Sequence, residues 1–270
     1  MRRKSLIGQR IGRFSGSDRT HTLFLLQQLA LTDFKLRYNN SILGYFWSLL
    51  NPLLIFSVYY LVFSVFMKFE GISHYQLYLL LGILLWNYFA ESTSSGMASI
   101  QYKSSLISKI NFPKWIIVAA SNLTSMLTLI INILIFSVFF VLSGVSFFSG
   151  MPFLILCLIQ LILLSLGVSF LLSSFYLKFR DLMHIWGILT QMLFWLTPII
   201  YPAGIIPVSI RHLFLLNPMA RIIEDSRAVL IYGRIPGFWN SILSMAIILA
   251  ILAVGISIFN KRSGKFAEEI

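Results

Sequence analysis

Charge is scarce in this sequence. Of 270 residues only 11% are Asp, Glu, Lys or Arg, and nine of those are acidic against 21 basic. A soluble domain carries about 25% charged and roughly 45–50% apolar residues. Here 58% are hydrophobic, more than a water-soluble chain of this length could hide behind so few charges. Soluble enzymes and disordered chains are excluded. Cysteine is scarcer still. Cys157 stands alone, so there is no disulfide framework and no cysteine-rich metal site. It reads as a small core hydrophobe. No Gly-rich loop ending in Lys-Ser/Thr occurs, so the chain does not hydrolyse ATP by that route. His21, His74, His184 and His212 fall on different segments. No catalytic constellation and no metal site are expected.

What is present is long apolar runs. A spanning helix needs about 20 mostly apolar residues. Six charge-free windows reach that length: 39–67, 71–90, 115–142, 151–177, 182–210 and 235–260. One helix is expected in each, the second continuing to about Ser99. The alternation and short segments of an outer-membrane barrel are absent. The fold class is all-α and polytopic, a single membrane domain over residues 1–270.

The basic residues sort between the two sides. Arg2, Arg3, Lys4, Arg10, Arg13, Arg19, Lys35 and Arg37 precede the first span. Lys103, Lys109 and Lys114 separate spans two and three, Lys178 and Arg180 separate four and five, and Lys261, Arg262 and Lys265 follow the last. The opposite side carries Lys68, Arg211, Arg221, Arg227 and Arg234. Lys and Arg gather in cytoplasmic loops, which places both termini in the cytoplasm. The net charge of +12 is topological, spread over four segments, and is poor evidence for nucleic acid. Residues 20–38 read as an amphipathic interfacial helix with Leu23, Leu26, Ala30 and Phe34 on its apolar stripe, or as a cytosolic helix packed on a partner.

At about 100° per residue, Tyr45, Phe56, Tyr59, Tyr60, Phe63 and Phe66 share roughly a third of the first span's circumference. Leu54, Val58, Leu61, Val62 and Val65 take the other side. On span five, His184, Gly187, Thr190, Gln191, Phe194, Pro198 and Tyr201 oppose Leu189, Met192, Leu193 and Leu196. Aliphatic faces suit lipid. An aromatic face serves either helix packing or a channel whose rings stack on the apolar faces of sugars. Mid-span ionisable residues, which ion-coupled carriers need, are missing. Glu91 is the only acidic residue within a span, and it lies near the cytoplasmic end.

The loops carry the rest. Pro52 should kink the first span. Pro113 ends a short helix before span three. Residues 178–181 make a tight charged turn. After span five, 205–216 and 219–232 are helical in period but too short to cross, and suit a re-entrant or surface-lying hairpin over 201–236. The acids Glu224-Asp225 there are best explained by a solvated helix face.

These loops resemble a known family. Asp33…Arg37-Tyr38…Ser41…Leu43-Gly44…Trp47…Pro52-Leu53 is similar to the N-terminal signature of the permease subunits of ABC polysaccharide exporters, which move O-antigen, capsule or teichoic acid chains. Asn111-Phe112-Pro113, Arg180-Asp181, Thr197-Pro198-Ile199-Ile200-Tyr201, Asn217-Pro218 and Phe266-Ala267-Glu268-Glu269 are similar too. The match runs from about Thr20 to Ile270. The resemblance implies a half-transporter in the bacterial cytoplasmic membrane. Two copies would bind two cytosolic ATPase subunits, which use the ATP and its magnesium ion, while this chain binds no cofactor. A lipid-linked polysaccharide, O-antigen foremost, would thread a channel at the dimer interface. Tyr45, Phe56, Tyr59, Tyr60, Phe63, Gln191, Phe194 and Tyr201 would line it, and Arg37, Tyr38 and Trp47 would shape the cytoplasmic entry, Arg37 facing phosphate. Lys103, Lys109, Asn111, Phe112, Lys178, Arg180 and Asp181 would meet the ATPase. Arg211, Arg221, Glu224 and Asp225 would form an external gate. The competing readings are an exporter of drugs or small lipids, a membrane enzyme of glycan assembly, and an ion channel.

Overall fold

The computed structural model describes residues 19–37, 43–67, 72–109, 112–145, 150, 152–207, 209, 214 and 216–266. Of the candidate site residues above, Tyr38, Asn111 and Arg211 lie outside that set, as does the side chain of Tyr45. Among the described residues there is helix and no strand. The helices are α1 (Arg19–Arg37), α2 (Trp47–Tyr60), α3 (Tyr75–Tyr102), α4 (Ser104–Lys109), α5 (Trp115–Leu142), α6 (Pro152–Tyr176), α7 (Leu182–Leu196), α8 (Pro218–Leu230) and α9 (Phe238–Ser263). A 3-10 turn, Gly44–Phe46, leads into α2, and α2 continues as a wider π-helical stretch, Leu61–Phe66.

Among the described residues four helices are long and apolar enough to cross a membrane: α2 with its extension, α5, α6 and α9. The second expected span is α3. It is 28 residues long and carries Asn87, Glu91 and a Ser/Thr-rich second half. Its apolar half is the most deeply buried stretch of the chain, with Leu77, Leu79, Leu80 and Ile83 fully enclosed. The fifth expected span, 182–210, is cut short, and α7 ends at Leu196. The reason is local: Pro198 drives the residue before it out of the helical region, and Thr197 is extended at φ −86°, ψ 135°.

Small and polar residues let the helices close on one another. A Cβ on Gly255 of α9 would stand 2.3 Å from the Gly167 carbonyl oxygen of α6, so only glycine fits where these backbones meet. Gly96 of α3 lies as close to Ser169 of α6. There Ser92 donates to Asn122 Oδ1 at 2.5 Å and Ser169 donates to the Ser92 carbonyl at 3.2 Å, joining α3, α5 and α6. These hydrogen bonds fill the role expected of uncharged polar residues inside spans.

α1 is less free than an interfacial helix need be. Thr124 of α5 donates to the Ala30 carbonyl at 3.1 Å. Asp33 pairs with Lys103, and Arg37 with Glu91 of α3. Of its expected stripe, Ala30 is buried, Leu26 and Phe34 are half-buried and Leu23 is exposed.

The α6–α9 contact makes a clear prediction. Gly255→Val should abolish recovery of monodisperse protein from detergent, while Gly264→Ala, where a Cβ meets nothing within 4 Å, should leave recovery unchanged. Equal size-exclusion profiles for the two would contradict the packing described.

Candidate functional site

The α2 faces sort as the wheel predicts. Leu54, Val58, Leu61 and Val65 are exposed and Val62 is half-buried, while Phe56 is buried and Tyr59, Tyr60 and Phe63 are half-buried. Phe66 departs, being exposed. It ends the π-helical stretch, whose wider turn no longer follows a 3.6-residue period.

Two series of rings leave this face. Tyr59 stacks on Phe194 of α7 at 5.7 Å between centroids, Phe194 meets Trp86 of α3 at 5.9 Å, and Phe89 meets Trp186 at 6.3 Å. Phe56 contacts Phe139 of α5 at 6.0 Å and stacks on Tyr60 at 5.7 Å. Tyr60 continues to Tyr75 at 6.4 Å, and Tyr75 to Tyr78 at 6.2 Å. The expected aromatic residues of spans one and five therefore meet. α7 divides differently from its wheel. Thr190 is buried, Trp186, Leu193 and Phe194 face the core, and His184, Gly187 and Gln191 lie outside with Leu189 and Met192. A wheel groups residues by face without saying which neighbour a face meets. α7 meets α3 through Trp186, whose indole donates to Thr93 at 3.1 Å, and through Phe194. Tyr201 turns back and donates to the Trp195 carbonyl at 2.9 Å, closing the open end of α7.

The extended segment after α7 is buried at Thr197, Ile199 and Ile200, so its backbone needs internal partners. α3 and α8 supply them. Tyr75 donates to the Ile200 carbonyl at 3.1 Å, and Tyr78 to that of Tyr201 at 3.0 Å. The fully buried Arg227 donates to the carbonyls of Pro198 and Ile199, each at 2.6 Å. It also donates to the Tyr78 carbonyl from two nitrogens, at 3.0 and 3.2 Å, and to Glu224 at 3.0 Å. Its guanidinium lies 3.4 Å from the centre of the Tyr78 ring. Gly82 makes the room, for a Cβ there would stand 2.5 Å from Arg227 Nη2. α8 is started by Asn217, whose side chain accepts from the Met219 amide at 3.0 Å and donates to Thr197 at 3.2 Å. Pro218 follows as the first helical residue.

This corrects the reading of Glu224-Asp225 as a solvated face. Asp225 is 5% exposed and pairs with Arg221 at 3.1 Å. Burial pushes its carboxyl above the ordinary range, and Arg221 opposes the rise. Glu224 accepts from Arg227 and from the Tyr78 hydroxyl. The acids are internal because α8 packs on α3 and α6. The sequence reading set Arg227 aside as one more external charge. Its i, i+3 spacing from Glu224 was the available signal.

Comparison with known proteins decides the family. Residues 25–231 match the family model described as ABC-2 type transporter. The chain belongs to the ABC-2 transporter membrane family. It is similar to the O-antigen export system permease protein RfbA of Klebsiella pneumoniae, 32% identical over 248 residues covering 90% of this chain and 94% of that one. The RfbA of Myxococcus xanthus is 30% identical over 249 residues, covering 91% and 95%. The polysialic acid transport protein KpsM of Escherichia coli is 23% identical over 241 residues, covering 88% and 93%. The chain is thus a multi-pass permease subunit of the ABC-2 kind and not a catalytic one.

On this permease the base of the bundle is braced by its tail. Phe266 is fully buried and meets Phe259 edge-on at 5.3 Å, in a cluster with Ile100, Ile117, Val118 and Phe170. Ile107 of α4, Phe112 and Leu177 pack against the same cluster. Two of the expected contact segments therefore hang from one apolar seat. Lys109 and the turn Lys178-Phe179-Arg180-Asp181 are exposed. Lys103 is instead turned to Asp33 within the chain. Arg37 and Trp47 line a common cleft of about 530 Å³.

The Arg227 geometry predicts a steep stability effect. Removing one partner from a buried charge network costs about 3–5 kcal/mol. Arg227→Gln should lower the thermal midpoint of the detergent-purified permease sharply. Arg227→Lys should lower it too, because an ammonium cannot span four separated acceptors. Arg221→Gln should have the smaller effect. A midpoint for Arg227→Lys equal to that of the unaltered chain would contradict this arrangement.

Proposed function

We propose that this permease is the membrane half of an ATP-driven exporter of a lipid-linked polysaccharide, O-antigen in the first instance. Two copies form the conduit, each with a cytosolic ATPase subunit that binds ATP and magnesium. The polymer runs between them past the aromatic faces of α2 and α7, entering near Arg37 and Trp47 and leaving past α8. The assembly sits in the cytoplasmic membrane with both termini inside. Capsule and teichoic acid chains are the nearest alternatives.

The observation that carries this reading is the Tyr59–Phe194 stack. It joins the two helices whose rings face one another, with no Asp, Glu, Lys or Arg on either helix. Rings offer a sliding polymer many equivalent contacts and no deep well. The absence of a charge relay fits a conduit driven by a partner's hydrolysis. The names of the similar proteins, O-antigen export and polysialic acid transport, fit the same cargo class. Lys109, Arg180 and Asp181 provide an exposed surface for the ATPase, held by the apolar seat below them.

Replacing Tyr59 and Phe194 together by leucine keeps apolar bulk and removes the rings. The pair should reduce surface polysaccharide by about tenfold, a barrier change of about 1.4 kcal/mol, with unchanged permease level and unchanged co-purification of the ATPase. Surface polysaccharide at the unaltered level would count against the aromatic conduit.

A further inference from the structure

The cleft that holds Arg37 and Trp47 reaches far past the cytoplasmic entry. Its volume, about 530 Å³, falls in the range of small-molecule sites, roughly 300–1,000 Å³. Its walls come from the end of α1, the start of α2 and the middles of α3 and α5. Asn132 stands seventeen residues into α5, about 25 Å along the helix at 1.5 Å per residue. The cleft thus runs to mid-depth of the bundle, on the side of α2 that faces α3 and α5.

The lining has an unusual makeup for that depth. Asn51, Asn87, Ser125, Thr128 and Asn132 bring amides and hydroxyls. Thr128 is 6% and Asn132 5% exposed. Thr128 Oγ1, Asn132 Oδ1 and the Tyr88 hydroxyl, which lines the same cleft, find no hydrogen-bond partner among the described residues. Buried polar atoms are nearly always partnered, because leaving one bare is costly. Three bare ones in the wall of one open cleft mark a place where something else supplies hydrogen bonds. Ser92, Asn122 and Ser169 at the α3–α5–α6 contact, by contrast, are joined by hydrogen bonds.

The charge of the cleft narrows what that something is. Arg37 and Glu91 both line it and are paired with each other. The cleft therefore presents no net charge, and a phosphate at Arg37 would face the Glu91 carboxylate. The ligand that fits is neutral and rich in hydroxyls. Trp47, half exposed at the mouth, adds an apolar ring of the kind that stacks on the CH face of a sugar.

We propose that this cleft is a sugar subsite. It takes one or two neutral monosaccharide rings of the exported glycan, which hydrogen-bond to Thr128 and Asn132 and stack on Trp47. It lies beside the conduit and holds the polymer on the cytoplasmic side, giving the permease its own contact with sugar chemistry. The inference rests on the export reading and refines it. It also recasts Arg37 as a neutralising partner for Glu91 and not as a phosphate ligand.

The test uses the full exporter in cells lacking the chromosomal copy of this chain. Thr128→Val with Asn132→Leu removes the two unmet groups of α5 and keeps volume. Surface glycan per permease should fall about tenfold, while protein level and ATPase co-purification stay unchanged. A purely structural cleft predicts the opposite, since filling bare polar positions with apolar groups should stabilise the chain and spare export. Export at the unaltered level, or export lost only together with ATPase co-purification, would overturn the proposal. If the unaltered chain itself restores no surface glycan to these cells, the export reading fails and the subsite with it.

A second arm reads the ligand directly. Trp47→p-benzoylphenylalanine, irradiated in cells that make the glycan, should give an adduct sensitive to periodate. That adduct should disappear in cells blocked at the first sugar transfer. A phospholipid adduct of equal yield in both strains would overturn the assignment to sugar.

Discussion

Arg227 lies where a buried stretch of backbone has lost its helix. Pro198 stops α7, and the carbonyls that follow cannot reach the next turn. In an apolar setting each bare carbonyl would be costly. The guanidinium meets those of Pro198 and Ile199 and reaches across to Tyr78 of α3. It is itself neutralised by Glu224 and covered by the Tyr78 ring. Five donors in a fixed plane suit this work, and no other side chain offers them. Gly82 and the Asn217 cap are consequences of the same need.

The position of α7 depends on that tie. With its end fixed to α3 and α8, α7 presents Phe194 to Tyr59 and Trp186 to Phe89. The aromatic faces thus meet because a polar problem at the end of α7 is solved in one geometry. At the opposite end the buried Phe266 and its cluster fix α4 and the 178–181 turn. A charge-poor bundle is then braced at both ends, with a ring-lined seam between α2 and α7. Such a body is suited to transmit motion along its length.

Much of this was legible in sequence because it rests on period and composition. The sorting of α2 into aliphatic and aromatic faces follows from spacing alone. So does the helix after Asn217-Pro218, whereas the span expected over 182–210 ran past the stop that Pro198 imposes. What escaped depends on partners far apart in the chain. Arg227 and Tyr78 are 149 residues apart, and Arg37 and Glu91 are 54 apart. A charge on an amphipathic helix reads as solvated until its packing is known, which is why Glu224 and Asp225 were taken for surface. The division of α7 failed for the same reason, as no wheel shows which neighbour a face will meet.

The central claim is that polymer crosses the membrane through this permease. The direct measurement is where lipid-linked glycan resides in cells that lack the chain. Glycan should accumulate inside, reached by an added lectin only after the cytoplasmic membrane is opened, with little at the surface. Surface glycan at the ordinary level, with no internal pool, would contradict the account.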